Sequence, residues 1–171
     1  PAVDTVTLDG VNTLSGGILV TSGVGANLST ITGGTLQGPV GGELVIHQHN
    51  TTAGGSGLII GSILQDNTSP TSPTSLLKTG AGTMTLAASN TYTGGTFINQ
   101  GSLIVSIYGA GGALPLADDP TKGLVVSAGS FQAYIANSIN PGNEVTINAN
   151  SSVLLSGDNT IKKLTFNNDG S

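Results

Sequence analysis

The sequence predicts an all-β chain whose short strands wind into a parallel β-helix, a solenoid of stacked coils. In residues 82–105, GTMTLAASNTYTGGTFINQGSLIV, three short strands follow one another and leave no room for a helix. The breaks between strands read SGG, TGG, NQG and SAGS, which turn corners, whereas the Asn-Gly and Asp-Gly turns typical of hairpins are nearly absent. Helix-forming Glu, Lys, Arg and Gln are also scarce.

Internal repetition indicates that the coils are stacked copies of one unit. NTYTGGTFINQG at 90–101 aligns with NTLSGGILVTSG at 12–23, and five of the twelve positions are identical. NTIKKLTFNNDG at 159–170 keeps the opening Asn-Thr and the closing Gly. At roughly 20 to 25 residues per coil, we expect a single β-helical segment over residues 1–171 with about seven or eight coils.

The composition is compatible with stacking and excludes several classes of function. Thr, Ser, Asn and Gly make up 81 of 171 residues, while charged residues make up 8%, against roughly 25% in an average soluble domain. Hydroxyls and amides can hydrogen-bond from coil to coil, whereas stacked like charges repel each other. A net charge of −5 without any arginine argues against binding to nucleic acid or to an anionic membrane surface.

Export is compatible with the remaining composition. The chain has no cysteine, which excludes a disulfide framework and thiolate metal sites. Its longest apolar run, GLIIGSIL at 57–64, is too short to cross a bilayer. The opening PAVDTVTLDG lacks the regions of a signal peptide, so we expect targeting information to lie elsewhere.

Apolar strand residues predict one thin, continuous core. The candidates to face it are Leu19, Leu44, Ile46, Ile59, Leu86, Ile98, Leu103, Val105, Val125, Val145, Ile147, Leu154 and Leu164. Two stretches interrupt the pattern and predict loop excursions. QDNTSPTSPTS at 65–75 has two Ser-Pro pairs and no apolar residue, and YGAGGALPLADDPTKG lies at 108–123. Within the second excursion, Leu114 and Leu116 are candidates to pack back onto the core.

LLKTGAGTMTLAASNTYTGGTFINQGSLIVS, at 76–106, closely resembles the autotransporter-associated β-strand repeat found in passenger regions of bacterial surface proteins. The family pattern is carried here by Lys78, Gly80, Gly82, Thr83–Leu86, Asn90–Thr96 and Gly101 with the strand that follows it. A looser resemblance runs to about residue 168, and residues 1–75 match only through NTLSGG. The resemblance implies a right-handed parallel β-helix outside the cell, and it brings no catalytic residues with it.

Two clusters have the residue types of a metal or catalytic site. His47 and His49 share one face of a strand, a spacing that suits Zn²⁺, but a third ligand is hard to find and an exposed strand is favoured. Asp118 and Asp119 are the only adjacent carboxylates, a pair that could bind Ca²⁺ or divide acid and base roles. They precede Pro120 in a loop, so a solvated turn is favoured. We expect no metal, no cofactor and no catalytic residue.

An enzyme is the less favoured class. Polysaccharide lyases also use β-helices, but they need a strong base and cations that hold the carboxylate of the sugar. This chain has no arginine, and its four lysines are scattered. A glycosidase needs a carboxylate pair across a groove, and only nine acids are spread along the chain.

Phe97 and Tyr92 are the candidate contact residues. Because Ile98 takes the inward position of its strand, alternation directs Phe97 outward, beside Tyr92, where it could stack on a sugar or pack on a neighbouring chain.

Three functions stay open. The first is a structural or adhesive segment of an autotransporter-like protein, located outside the cell at the bacterial surface. The second is a fibre subunit that assembles through open ends or by strand donation. The third is a β-helix that binds or cleaves carbohydrate. The expected partners are another copy of the chain, a host or neighbouring cell surface, or a glycan, and we expect neither nucleic acid nor membrane insertion.

Overall fold

The computed structural model describes residues 2–51, 55–68, 71–106 and 113–168. Most of its strands lie in two parallel sheets, between which the chain alternates. Sheet A contains β1 (Val3–Thr13), β3 (Leu28–Gln37), β5 (Leu58–Ile60), β6 (Ile63–Gln65), β10 (Thr83–Leu86), β12 (Ser102–Val105), β14 (Ser130–Ala133) and β16 (Ser152–Leu155). Sheet B contains β2 (Ile18–Val20), β4 (Glu43–Gln48), β9 (Ser75–Thr79), β11 (Thr96–Ile98), β13 (Leu124–Val126), β15 (Glu144–Asn148) and β17 (Lys163–Asn167).

Each coil consists of one level of sheet A followed by one level of sheet B. Over the described ranges this gives seven coils, numbered here from the N-terminus, and every neighbouring pair of coils is joined in both sheets. Coil length varies: Ser102 pairs with Thr83, 19 residues earlier, whereas Leu58 pairs with Ser29, 29 residues earlier. The predicted parallel β-helix is confirmed, and its right-handed winding stays a prediction.

The core is a set of inward columns, in which residues of successive coils lie above one another. In sheet B, one inward column runs Leu44, Leu76, Thr96, Leu124, Val145, Leu164. In sheet A, one inward column runs Leu58, Met84, Leu103, Phe131, Val153. Most of these side chains are fully buried, because the rows of the two sheets pack against each other across a narrow interior.

A third side of the coil closes this interior and has little regular strand. Its buried side chains are Leu36, Leu64, Tyr92, Leu114 and Ile139. Asn90 joins three coils here: its Oδ1 accepts from the amide of Leu64 (2.9 Å), and its Nδ2 donates to the carbonyl of Ala113 (2.9 Å). Asparagine can serve both neighbours because its amide carries an acceptor and donors side by side.

Four of the predicted core residues are wrong, each by one position along its strand. Leu19, Ile59, Val125 and Leu154 point outward, and the residues on either side of each point inward instead. They lie in the runs ILV, LII, LVV and VLL, where several consecutive apolar residues hide the two-residue period. The other predicted core residues are buried or partly buried, except Leu164 in the last coil.

The excursion at 65–75, of which residues 69 and 70 lie outside the described ranges, contains a strand pair that the prediction of a loop did not include. It forms a short antiparallel hairpin of β7 (Asn67–Thr68) and β8 (Thr71–Ser72). Asp66 fastens the base of the hairpin, since its carboxylate accepts from the amides of Thr74 and Thr93, both at 2.8 Å. Polar residues therefore close the base of this segment through hydrogen bonds.

The excursion at 108–123 falls partly outside the described residues, which resume at residue 113. Leu114 packs back into the core as predicted, whereas Leu116 is exposed. The segment ends in a single 3-10 turn, Pro120–Lys122, which leads into β13. Across the described ranges, no helix has the length and hydropathy that a membrane crossing requires.

Candidate functional site

The outer face of sheet B carries two parallel ladders of side chains, because register keeps equivalent residues above one another. We call one the apolar ladder, which runs Val45, Leu77, Phe97, Val125 and continues with Thr146 and Thr165. We call the other the polar ladder, which runs His47, Thr79, Asn99, Ser127, Asn148, Asn167. Neighbouring rungs are about 4.8 Å apart, the spacing of paired strands.

Direct hydrogen bonds join the last rungs of the polar ladder. Asn148 donates from Nδ2 to Oγ of Ser127 at 3.2 Å, and Asn167 donates from Nδ2 to Oδ1 of Asn148 at 3.1 Å. Stacked amides order one another in this way, so the ladder presents its polar groups in fixed positions.

Phe97 lies near the middle of the apolar ladder, with Leu77 in the coil before it and Val125 in the coil after it. Its outward direction is confirmed, and its side chain is half-buried by these neighbours. Tyr92 does not accompany it: the tyrosine is only 1% exposed, and its hydroxyl bonds to Oγ1 of Thr96 at 2.6 Å. The prediction that Tyr92 belongs to a contact surface is therefore wrong. Burial also raises the pKa of Tyr92.

His47 and His49 lie on the outer face of β4 and the turn after it, where both are exposed. Their rings stack with centroids 6.3 Å apart and planes inclined by 9°. Among the described residues, no group of three or more His, Cys, Asp or Glu side chains comes together in a way that could hold a metal ion. The histidines thus form an exposed pair at one end of the polar ladder.

Asp118 and Asp119 lie in an exposed turn, as predicted. Asp119 caps the 3-10 turn, because its Oδ1 accepts from the amide of Thr121 at 3.1 Å and from the Thr121 hydroxyl at 2.6 Å. These hydrogen bonds lower the pKa of Asp119. The carboxylate therefore has a structural role that accounts for its position.

Lys78 is a buried cation that the sequence reasoning did not place in the core. It occupies the inward column between Ile46 and Ile98, and its side chain has no solvent exposure. Its ammonium donates to three carbonyls, those of Thr79 (3.0 Å), Gly80 (2.7 Å) and Gln100 (3.0 Å). Two of these belong to its own coil and one to the next, so Lys78 ties coils three and four together. Burial lowers its pKa to about 8 from the ordinary 10.5.

The paired glycines of the repeat allow neighbouring coils to approach closely. A Cβ on Gly94 would lie 2.6 Å from the backbone of Ser75 in the coil before, and a Cβ on Gly95 would meet the carbonyl of Lys122 in the coil after. Gly95 also has φ +95°, a conformation that favours glycine. Gly94 thus allows the close approach of the preceding coil, and Gly95 allows the close approach of the following coil.

The last coil leaves the interior open. Leu164 and Phe166 continue the inward columns of sheet B, yet they are 46% and 65% exposed because no further coil covers them among the described residues. A cavity of about 440 Å³ opens beside them and is lined by Val145, Val153 and Ile161 among others. Among the residues that the structure describes, β17 is thus the last strand of its sheet, and the apolar interior lies open beside it.

The fold and its coil-to-coil ladders define a solenoid of the parallel β-helix class. Comparison with protein families identifies its unit: residues 4–24 and 76–105 match the passenger-associated-transport repeat. These two segments are similar to that repeat, and the resemblance seen at 76–106 is confirmed. The two matched segments cover less than a third of the chain. Comparisons with curated proteins and with solved structures gave no significant match.

Proposed function

We propose that this chain is a non-enzymatic structural segment of a bacterial surface protein, lying outside the cell and offering its side as a contact surface. The observation that carries the proposal is the continuous strand pairing, since each coil pairs with the next in both sheets and forms one continuous rod. The passenger-type repeats support an autotransporter-like parent. Seven coils at about 4.8 Å give a stack roughly 30 Å long.

Proteolysis of intact producing cells tests the location. An antibody against this chain should lose its epitope when proteinase K is added outside the cells, while a cytoplasmic marker stays intact. An epitope that survives until the cells are lysed would contradict the extracellular proposal. Small-angle scattering of the purified chain tests the rod and should give the dimensions of a single rigid body.

End-to-end assembly into a fibre is a second candidate function. The exposed Leu164 and Phe166 favour it, because another coil stacked on β17 would bury them and satisfy the strand edge. A charged residue at the opposite end of the rod disfavours this end-to-end stacking. Asp4 lies in the inward column of coil one, in register with Ser29 and Leu58.

Replacing Asp4 with valine should strengthen head-to-tail association of the purified chain at least tenfold. When β1 of one copy stacks on β16 of another, Asp4 faces Val153 and its carboxylate loses water without gaining a partner. A tenfold change corresponds to about 1.4 kcal/mol, which is less than burying an unpaired carboxylate costs. Sedimentation velocity over a concentration series measures the effect. Thr5→Val is the matched control, because Thr5 points outward on the same strand. Equal sedimentation of D4V, T5V and the wild type would remove this route of assembly.

A further inference from the structure

We propose that the outer face of sheet B binds an uncharged linear polysaccharide that lies along the axis of the rod. The inference rests on the proposed function, in which the side of the rod is a contact surface, and it names the ligand class. The central contact is Phe97 with Asn99, one rung of the apolar ladder beside one rung of the polar ladder.

Repetition is the first argument. Four successive coils place an apolar side chain beside a polar one on this face, two residues apart within each strand or at its end, and the last two coils continue both positions with Thr and Asn. A ligand that repeats along one direction can make equivalent contacts at successive rungs, whereas a compact ligand would use only one or two. The periodic face therefore fits a polymer.

The chemistry of the two ladders is the second argument. A sugar ring has an apolar face of C–H groups and a rim of hydroxyls. Phe97, with Leu77 and Val125 above and below it, offers a surface on which the C–H face can pack. The amides and hydroxyls of Thr79, Asn99 and Ser127 can bond to the rim. Apolar walls with a few fixed polar groups are the usual pattern of small-molecule sites.

Charge decides the class of polysaccharide. Neither ladder contains a carboxylate, an ammonium or a guanidinium, and His47 is the only titratable side chain in the two. A uronate or sulfated polymer would require cations to hold its charges, and none of the four lysines belongs to either ladder. Lys163 lies on the same outer face only at the last coil, where Glu144 pairs with its ammonium at 3.7 Å. An uncharged polysaccharide needs no cationic partner, so it can bind to this face without leaving a charge unpaired.

The principal rival occupant is a second copy of the chain, packed side to side. Half of this face is polar, and the side chains of the apolar ladder are already half-buried by one another. Little apolar area therefore remains to be buried in a stable dimer, which needs a large hydrophobic contact. The polysaccharide is favoured because it uses the polar and apolar ladders together.

The face is open and not a cleft, so each sugar ring should bind weakly. Affinity then has to come from several rings bound at once, and it should rise steeply with the length of the oligosaccharide. The rungs near Phe97 should contribute most, because the apolar ladder changes to threonine at Thr146 and Thr165.

Titration calorimetry with cellohexaose, mannohexaose and xylohexaose, and with the trisaccharide of each series, tests the inference. At least one hexasaccharide should bind ten times more tightly than its trisaccharide. Phe97→Ala should weaken that binding at least tenfold and Asn99→Ala about threefold. Ile104→Ala is the matched control, because Ile104 is half-buried on the outer face of sheet A, and it should change affinity less than twofold.

The inference is overturned when no hexasaccharide binds, when length has no effect, or when I104A weakens binding as much as F97A. A change in sedimentation caused by F97A alone would assign the face to a second copy and also overturn it. These outcomes are independent of the protease experiment: a chain that is accessible outside the cell but binds none of the sugars keeps the proposed function and loses only its ligand.

Discussion

Replacing Gly94 with alanine should lower the free energy of unfolding by about 3 kcal/mol or more. The new methyl group would lie 2.6 Å from the amide nitrogen of Ser75, and the backbone of the preceding coil cannot rotate away as a side chain can. The same contact holds two hydrogen bonds that the clash would stretch. Gly94 donates its amide to the carbonyl of Thr74 at 3.0 Å, and its own carbonyl accepts from Oγ of Ser75 at 2.9 Å.

Gly16→Ala is a matched control that the repeat itself supplies. Gly16 holds the same place in NTLSGG that Gly94 holds in NTYTGG, but no atom lies within 4 Å of where its Cβ would be. It belongs to coil one, where the described residues place no coil before it. Alanine at this position should change stability by less than about 1 kcal/mol.

Thermal unfolding followed by circular dichroism compares the two variants. Gly94→Ala should lower the melting temperature by about 10 °C, and Gly16→Ala should leave it almost unchanged. Equal shifts in the two variants would show that the motif glycines act through local backbone preference and not through the approach of neighbouring coils.

Lys78→Met should lower the free energy of unfolding by about 2 kcal/mol at pH 7, because three carbonyls lose their donor inside the core. Methionine fills most of the space of the lysine stem, so the loss of packing is small. Removing a buried charge raises the free energy of unfolding. We expect the loss of the three hydrogen bonds to carbonyl groups to be the larger effect, so the variant should be less stable. A variant more stable than the wild type would show that the desolvation of the ammonium outweighs its hydrogen bonds.

The same substitution should remove a pH dependence. Below pH 8 the folded and unfolded chains both carry a protonated Lys78, so its contribution is constant. Between pH 8 and 10 the folded form releases a proton that the unfolded form keeps, and stability should therefore rise by about 2 kcal/mol. Above pH 10 the trend reverses, because the pKa of Tyr92 is raised and the unfolded chain loses the tyrosine proton first.

Urea unfolding at pH 7, 8, 9 and 10 measures this profile. The wild type should gain stability up to pH 10, while Lys78→Met should stay flat over the same range. Leu76→Met is the control for packing, since Leu76 is an inward residue of the same strand and has no charge to lose. Parallel profiles for the wild type and K78M would contradict the assignment of the titration to Lys78.

Much of the fold could be predicted because both the strand sequences and the turn sequences between them recur along the chain. The Thr-Gly-Gly and Asn-Gln-Gly breaks excluded hairpins in the main stack, and alternation in TFIN directed Phe97 outward and Ile98 inward. The number of coils followed from the spacing of the repeats.

The prediction failed where the two-residue period gives no information. In runs such as LVV at 124–126, each residue is apolar, so only pairing with the next coil decides which one faces the core. Tyr92 lies in a corner, where strand alternation does not apply, and the tyrosine turns inward to bond with Thr96. Lys78 was missed because a charge is ordinarily solvated, although its position two residues after the inward Leu76 was a signal.

The candidate site was predicted only in part. Phe97 could be identified because a single aromatic residue stands out in a strand. The two ladders could not, because a ladder consists of residues 19 to 32 positions apart whose common face depends on the coil length. The number of residues in a coil changes because one coil contains the β7–β8 hairpin and because the third side of the coil has little regular strand.

The pairing of each coil only with its neighbours determines how the molecule should respond to tension. Hydrogen bonds between coils run along the rod, so a pull on its two ends loads them lengthwise and concentrates the strain at the outermost coil. Coils should then detach one after another, each releasing 19 to 32 residues of chain. A released coil extends to at most roughly 3.5 Å per residue, many times the height that it occupied. Such a segment would yield in steps and absorb a sudden load while the coils behind it stay folded.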